Sequence, residues 1–178
     1  MPDIYSPAED SYLLLKVLGK KVPELLKENP ELKVLEMGSG SGIHLEALKK
    51  IGVKNLFAAD INSDAVEHCK KLGFKCVESN LFENIKDKFD LIVFNPPYLP
   101  RDIKEPKSSQ IATTGGKKGN EVINKFIEQS KNHLNENGKI FLLTSSHTAK
   151  INYNGYKKKL LDKESLFFEQ LFVWELRT

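Results

Sequence analysis

Cysteine is scarce in this chain, and the marks of disulfide-rich, metal-binding and membrane proteins are missing. Only Cys69 and Cys76 occur, and they do not form a Cys-x-x-Cys pair. We therefore expect two reduced, mostly buried thiols and no metal site. No run of about 18 apolar residues occurs, which argues against a transmembrane helix. The first residues lack the basic and apolar regions of a signal peptide, so we expect a cytoplasmic protein without membrane contact.

Two common nucleotide-binding signatures are also absent. No Gly-x-x-x-x-Gly-Lys-Ser/Thr segment is present to cradle a triphosphate. Residues 38–42 read Gly-Ser-Gly-Ser-Gly, so the last glycine of the dinucleotide fingerprint Gly-x-Gly-x-x-Gly is not in its place. These absences argue against a nucleoside triphosphate or a pyrophosphate-containing cofactor.

Strands and helices alternate as far as residue 145, which is the pattern of a parallel sheet with helices on both faces. The 178 residues are 40% hydrophobic with a net charge of +3, which suits one globular domain. We expect a capping box at Ser6 and Glu9 to open a helix that breaks near Gly19 and Pro23. We also expect a loop over residues 99–119, a helix over 121–134 and strands over 138–145, 156–165 and 167–176.

These elements predict an α/β, Rossmann-like fold. Its sheet has seven strands and is mainly parallel, with one reversed strand and helices on both faces. We expect residues 1–178 to form one domain, in which a helical segment at 1–30 precedes a core at 31–178.

The most informative segment is Asn-Pro-Pro-Tyr at residues 95–98, directly after the apolar run at 89–94. Two prolines end the strand, so the segment forms a rigid corner at its carboxyl end, where α/β sheets bind ligands. The side chain of Asn95 and the carbonyl of Pro96 offer two neighbouring acceptors, and Tyr98 offers a flat face. This arrangement suits a planar NH2 group, such as a carboxamide or the exocyclic amine of a base.

The glycine-rich segment and a distal acid indicate an adenosine-containing cofactor. Glycines at 38, 40 and 42 follow an apolar strand, where they allow the backbone to approach a ligand. Asp60 ends the next strand, 20 residues after Gly40, where an acid can bind a ribose diol. Adenosine without a phosphate chain, beside a corner for NH2 groups, predicts S-adenosylmethionine and N-methyl transfer. Glu36 could bind the methionine ammonium directly or through water.

These motifs together resemble the HemK-like class I methyltransferases, most closely the eukaryotic and archaeal branch that methylates release factors. The similarity spans nearly the whole chain, and the N-terminal segment narrows the choice within the larger group. The matching segments are residues 5–11 (Tyr-Ser-Pro-Ala-Glu-Asp-Ser), 36–42, 60–62, 95–98, Gly115, Gly116 and Gly119, and 167–171.

The resemblance implies methylation of the glutamine side-chain amide in the Gly-Gly-Gln loop of a release factor. Asn95 and the Pro96 carbonyl would grip the amide, and Tyr98 would pack on it. The resemblance also implies a small zinc-binding activator protein docked at the edge of the third strand. The cofactor site would comprise Tyr5, Ser11, Glu36, Gly38, Gly40, Asp60, Asn80, Leu81 and Asn95.

Three departures from the family stand out. Asn80 occupies the place of an aspartate that contacts the adenine amine, but it keeps an acceptor oxygen. Residues 147–155 are too short for the usual last helix, so one face of the sheet is expected to be less covered. We also expect no counterpart of the helical N-terminal domain that bacterial relatives use to recognise their substrate.

Other functions stay open at this point. N6-adenine methylation of DNA or RNA would use the same corner, with phosphates bound by basic residues of the following loop, although a solvated loop is the preferred interpretation. The basic residues of this loop are Arg101, Lys104, Lys107, Lys117 and Lys118.

A scaffold without turnover and a lysine methyltransferase are further alternatives. None of the four histidines, His44, His68, His133 and His147, is expected to be catalytic.

Overall fold

The structure is a computed structural model that describes residues 4–101 and 113–178. Its helices are α1 (Glu9–Glu28), α2 (Ile43–Ile51), α3 (Ser63–Lys71) and α4 (Glu121–Ser130), and the 3-10 turn Lys131–His133 follows α4. Its strands are β1 (Lys33–Met37), β2 (Asn55–Asp60), β3 (Lys75–Glu78), β4 (Phe89–Phe94), β5 (Leu134–Ser145), β6 (Lys157–Ser165) and β7 (Gln170–Arg177).

Seven strands in the described part of the chain form one sheet, in the order β3-β2-β1-β4-β5-β7-β6. β7 runs antiparallel to both of its neighbours, and the other pairs are parallel. The predicted mainly parallel sheet with one reversed strand is confirmed. The chain moves outward from β1 to β3 and then returns to β4 on the other side of β1. Ligands of open α/β sheets bind outside the carboxyl ends of the strands at such a reversal.

Apolar clusters cover both faces of the sheet. On one face Leu18 of α1 and Leu45 of α2 pack in a cluster with Val93 of β4. On the other face Phe126 of α4 packs in a cluster with Ile92 of β4. Ile92 and Val93 serve opposite faces because successive side chains of a strand alternate. Helices on both faces were predicted, and the structure confirms them.

Helix α1 differs from its prediction at its start and in its middle. The helix begins at Glu9 after Ala8, which makes no side-chain cap, so the capping box at Ser6 is wrong. Residues 4–8 instead lead toward the sheet edge, where the Tyr5 hydroxyl contacts a carboxylate of the helix. The predicted break is also wrong, because α1 continues through Pro23. Burial of Leu18 and Val22 on one side of the helix offsets the backbone hydrogen bond that proline loses.

Several helix and strand boundaries in the last third of the chain differ from the predicted ones. The α4 helix ends at Ser130 rather than 134, and β5 begins at Leu134 rather than 138. Leu134 pairs with Phe89, and the pairing then resumes between Lys139 and Leu91 after a register shift. The polar residues 135–137 therefore belong to an irregular part of β5. Strand β7 begins at Gln170, so residues 167 and 168, predicted within a strand, lie in the turn between β6 and β7.

Residues 147–155 form no helix, as predicted from their length. The face of the sheet is covered there by Ile151, Tyr153 and Tyr156, which pack on the second apolar cluster. Within residues 4–101 and 113–178, none of the helices is both long and apolar enough to cross a membrane.

Candidate active site

A cavity of about 330 Å³ lies where the strand order reverses, at the carboxyl ends of β1, β2 and β4. Most of its wall comes from residues at or just after the carboxyl ends of strands. The glycine segment follows β1, Asp60 ends β2, Asn80 and Leu81 follow β3, and the corner at 95–98 follows β4. Residues 5–11 close the remaining side.

The glycine segment folds tightly because its glycines adopt left-handed backbone angles. Gly38 has φ +69° and Gly40 has φ +46°, a region that other residues enter only with strain. The N–H of Gly38 donates to the Ala59 carbonyl at 2.7 Å, which ties the segment to β2. Because glycine has no side chain, the backbone atoms of Gly38 and Gly40 line the cavity directly.

Asp60 is linked to the glycine segment and to the start of α3. Its carboxylate accepts from the backbone N–H groups of Gly40 and Asn62, each at 2.9 Å. The Ser39 hydroxyl lies 3.4 Å from the same carboxylate. Because each carboxylate oxygen has more than one lone pair, Asp60 keeps acceptor capacity for hydroxyl groups in the cavity.

Asn80 is oriented by a neighbour. Its side-chain nitrogen donates to Glu83 at 2.8 Å, so the Asn80 carbonyl oxygen is left as an acceptor at the cavity wall. Leu81 follows with φ +54°, which is rare for a residue with a branched side chain. The Ser79 hydroxyl donates to the Leu81 carbonyl at 2.7 Å and holds this strained turn in place.

Asp10 connects the N-terminal segment to the corner. This residue is 4% exposed, and its carboxylate accepts from the hydroxyl groups of Tyr5 and Tyr98 at 2.9 and 3.3 Å. It also accepts from the side-chain nitrogen of Asn95 at 3.1 Å and from the backbone N–H of Ser11. Burial and the charge of Asp10 raise the pKa of both tyrosines, so their hydroxyl groups keep their protons and donate.

The side chain of Asn95 is consequently held in one orientation. A carboxylate pairs with the NH2 end of an amide and not with its oxygen, so Asp10 decides which end of the Asn95 amide is left to accept from another donor. The carbonyl oxygen of Asn95 is buried and has no hydrogen-bond partner among the described residues. An unpaired buried acceptor is costly, which marks this oxygen as a site for a donor from outside.

Glycines of the following segment pack directly on the corner. A β-carbon on Gly115 would overlap the carbonyl oxygens of Pro97 and Gly119, and one on Gly119 would overlap the Tyr98 carbonyl. The backbone also pairs here, because Leu99 donates to Thr113 and Gly115 donates to Leu99, both at 3.0 Å. These contacts explain why glycine is needed at both positions.

A buried histidine and glutamate lie beside the glycine segment. His44 Nδ1 is 2.8 Å from Glu36, and its Nε2 is 3.1 Å from the Ser11 carbonyl, so both ring nitrogens face acceptors. Burial alone would lower the pKa of His44, but the hydrogen bond and charge of Glu36 raise it above its ordinary value. Burial raises the pKa of Glu36, and His44 offsets part of that rise. The second carboxylate oxygen of Glu36 has no partner in the described structure.

Most of the predicted site residues line one cavity, whereas Glu36 does not. The lining includes Tyr5, Ser11, Gly38, Gly40, Asp60, Asn80, Leu81, Asn95, Pro96 and Tyr98. Asp10 and His44 also line it and were not predicted. Asp10 belongs to the N-terminal segment that carried the family resemblance, so a signal was present, but nothing in the local sequence distinguishes His44.

The basic residues of the loop after the corner are only partly described. Arg101, Lys117 and Lys118 are exposed, whereas Lys104 and Lys107 lie outside the described residues.

Comparison with known proteins identifies the family. The model of the methyltransferase small domain matches residues 9–164. A protein provisionally named N5-glutamine methyltransferase, from Methanocaldococcus jannaschii, is 37% identical over 98% of this chain and 93% of its own. The chain belongs to the methyltransferase small domain family. Human methyltransferase HEMK2 is 35% identical over 80% of this chain and 72% of its own, which confirms the resemblance to the HemK-like branch.

A solved member of the same group shares the fold. The structure of the E. cuniculi Mtq2-Trm112 complex, which methylates the eRF1 translation termination factor, superposes with a TM-score of 0.73. It is 28% identical to this methyltransferase and covers 99% of both chains. The chain is accordingly an S-adenosylmethionine-dependent methyltransferase, as predicted.

Proposed function

We propose that this methyltransferase transfers the methyl group of S-adenosylmethionine to the glutamine side-chain amide in the Gly-Gly-Gln loop of a translation release factor. The single observation that carries the proposal is that Asn95, a residue of the cavity wall, has a side-chain carbonyl oxygen without a hydrogen-bond partner among the described residues. The names of the relatives support the same reaction, since they include an N5-glutamine methyltransferase and an eRF1 methyltransferase.

The residues around the cavity fit the groups of this cofactor. Asp60 would accept from the ribose hydroxyls, and the Asn80 carbonyl would accept from the adenine amine. Glu36 lies behind this wall rather than on it, so its unpaired oxygen would reach the ammonium of the methionine part only through water or after a shift of the side chain. Gly38 and Gly40 would let the backbone approach the cofactor closely. Tyr5, Ser11 and Leu81 would complete the wall of the cavity. When bound, S-adenosylmethionine supplies an electrophilic methyl group.

The corner would bind and orient the glutamine amide. The two amide hydrogens would donate to the Asn95 side-chain carbonyl and the Pro96 backbone carbonyl, and Tyr98 would pack on the amide plane. An amide nitrogen is a weak nucleophile because its lone pair is delocalised into the carbonyl. Two acceptors raise the electron density on that nitrogen and fix its direction. Fixed orientation of this kind can supply about 7–11 kcal/mol of a barrier at best.

Asp10 would contribute through its charge as well as through Asn95. The amide nitrogen would gain positive charge as its bond to the methyl group forms and the bond from the methyl group to the sulfonium sulfur breaks, and it would then release one proton to solvent. The Asp10 carboxylate is hydrogen-bonded to Asn95 and Tyr98, which would flank that nitrogen. A preorganised negative charge at this place stabilises the developing positive charge. His44 has no free ring nitrogen to serve as a base, because both face acceptors.

The edge of β3 is the proposed docking place of a small zinc-binding activator protein. β3 is a terminal strand of the sheet, and Val77 on it is 41% exposed. The opposite edge strand, β6, carries the exposed lysines 157–159, a common protection against unwanted pairing. The E. cuniculi relative was solved together with Trm112. We place the complex in the cytoplasm, where translation terminates.

The experiment is a transfer assay with labelled S-adenosylmethionine and four separate acceptors: a release factor, the same factor with its Gly-Gly-Gln glutamine replaced by alanine, DNA and tRNA. The protein is tested alone and after co-expression with the candidate activator. We expect label on the intact factor only. Label on DNA or tRNA would overturn the proposal in favour of adenine methylation. Cofactor binding without transfer to any acceptor would indicate a scaffold.

A further inference from the structure

The turn between β6 and β7 carries two exposed phenylalanines that the fold itself does not use. Phe167 is 97% exposed and Phe168 is 85% exposed, and their rings meet edge-on with centroids 5.4 Å apart. The Leu166 N–H donates to the Glu169 carbonyl at 2.7 Å, so the two phenylalanines are the central residues of a tight hairpin turn. Such turns favour glycine, asparagine and aspartate, so turn geometry does not explain them.

The turn stands beside the candidate active site. β7 starts opposite the end of β5, because Leu171 pairs with Ser145, and the Ser145 hydroxyl donates to the carboxylate of Glu169. Thr148 follows three residues later, and its hydroxyl donates to the Tyr98 carbonyl at 3.2 Å. A short chain of contacts therefore joins the turn to the corner that would hold the acceptor amide.

The surroundings of the turn favour a protein over a nucleic acid. Glu164 and Glu169 flank the two rings, with Lys163 as the nearest basic residue of β6. Two carboxylates beside one ammonium disfavour the approach of phosphate groups. Two aromatic rings on a tight turn are the kind of anchor that enters an apolar pocket of a partner protein.

We infer that Phe167 and Phe168 dock the protein that carries the acceptor amide, by inserting into an apolar depression beside its glutamine loop. This inference rests on the proposed function. Once the glutamine is in the cavity beside Asn95, the rest of its domain covers the same edge of the sheet, where the turn projects. The turn then supplies affinity for the folded substrate and takes no part in the chemistry.

The test separates affinity from chemistry with the double variant Phe167→Ser/Phe168→Ser, assayed with the intact release factor. Both side chains are exposed, so the variant is expected to fold, which its thermal unfolding checks. We expect KM for the factor to rise at least about tenfold, a loss typical of truncating an aromatic anchor. The value of kcat and the dissociation constant of S-adenosylmethionine stay unchanged. Leu160→Ser is the matched control, because Leu160 is a 39% exposed apolar residue elsewhere on the same hairpin.

Each outcome decides the inference. An unchanged KM for the factor, or a fall in kcat with KM preserved, overturns the docking role and leaves the proposed function standing. Loss of binding to a DNA or RNA oligonucleotide, with KM for the factor unchanged, assigns the turn to nucleic acid and also overturns it. Absence of any glutamine methylation by the wild-type protein overturns both the proposed function and the docking role.

Discussion

The carboxylate of Asp10 accepts a hydrogen bond from the side-chain amide of Asn95 at 3.1 Å, although the two residues are 85 positions apart in the chain. Asp10 lies in the first turn of helix α1, and Asn95 follows strand β4. Their contact converts Asn95 from a group with two possible orientations into a fixed acceptor. The predictions for the part of the site that would bind the methyl-accepting amide depend on this contact.

Replacement of Asn95 by alanine tests the acceptor directly. The glutamine amide would lose one hydrogen bond and its alignment, so we expect kcat to fall at least about a hundredfold. Affinity for S-adenosylmethionine, measured by calorimetry, should be largely kept. Asn95→Asp retains an acceptor oxygen but loses the NH2 group that Asp10 accepts from and places a second carboxylate beside Asp10. Activity that remains in this variant would show that hydrogen-bond acceptance is what matters. Transfer to the release factor at the wild-type rate by the alanine variant would make the corner merely structural.

Replacement of Asp10 by asparagine tests the positioning of Asn95. The variant keeps the shape of the side chain but no longer forces the Asn95 carbonyl toward the cavity, so we expect kcat to fall about ten- to a hundredfold. The dissociation constant of the cofactor should change little.

The exchanged double variant, Asp10→Asn/Asn95→Asp, distinguishes orientation from charge. It restores a pair of carboxylate and NH2 with an acceptor oxygen still at position 95. Recovery of kcat relative to Asp10→Asn alone would show that orientation dominates. No recovery would assign the main role to the charge at position 10, and a single variant with wild-type kcat would refute both roles.

Replacement of Asp60 by alanine tests the cofactor side. The ribose hydroxyls would lose their acceptor, so S-adenosylmethionine should bind more weakly by about 1–3 kcal/mol. Asp60 also accepts from the Gly40 and Asn62 N–H groups, so Asp60→Asn, which keeps one acceptor oxygen, is the milder control. Equal affinity of the alanine variant and the wild type in calorimetry would remove Asp60 from the cofactor site.

Replacement of Gly115 by alanine tests the packing behind the corner. The added methyl group would overlap backbone oxygens, which cannot rotate away, so we expect a loss of about 1–3 kcal/mol in unfolding free energy. Gly19→Ala is the opposite control. A β-carbon there meets nothing within 4 Å in a helix, so alanine should stabilise the protein by up to about 1 kcal/mol. Urea denaturation measures both, and equal effects would contradict the packing argument.

The sequence predicts those parts of the site that have local signals. The corner at Asn95, the glycine segment and Asp60 each end a strand, so strand patterning was enough to place them at one edge of the sheet. The contact of Asp10 with Asn95 could not be inferred, because it depends on how α1 packs against the sheet. The capping box failed for the same reason, since Tyr5 binds Asp10 and draws residues 4–8 away from a helical start.

The buried pair of Glu36 and His44 had no sequence signal at all. Histidine on a helix reads as an ordinary residue, and the role of His44 depends on two acceptors brought together by β1 and α1. The same is true of the phenylalanines in the last turn. Their aromatic character predicted strand, whereas the hydrogen bonds of Glu169 and Gln170 place them outside it.

The last prediction concerns pH and the pair of Glu36 and His44. The folded protein raises the pKa of both groups, so it binds the shared proton more tightly than the unfolded chain does. For His44 this stabilisation is fully present below the ordinary pKa of 6.5 and is lost as pH rises through the raised value. The raised pKa of Glu36 acts in the same direction. Asp10 and Asp60 also face the pair, and their negative charges favour retention of the proton.

Urea denaturation at a series of pH values between about 6 and 9 provides the measurement. We expect the unfolding free energy of the wild type, relative to Glu36→Gln/His44→Gln, to fall as pH rises, because only the wild type holds the proton. His147→Gln is the control, because it removes an exposed histidine that makes no contact with Glu36 or His44 among the described residues. A difference between wild type and double variant that stays constant over this range would show that the pair binds no extra proton on folding. His44 would then be a neutral packing residue, and the Glu36 carboxylate would carry its full charge beneath the cofactor site.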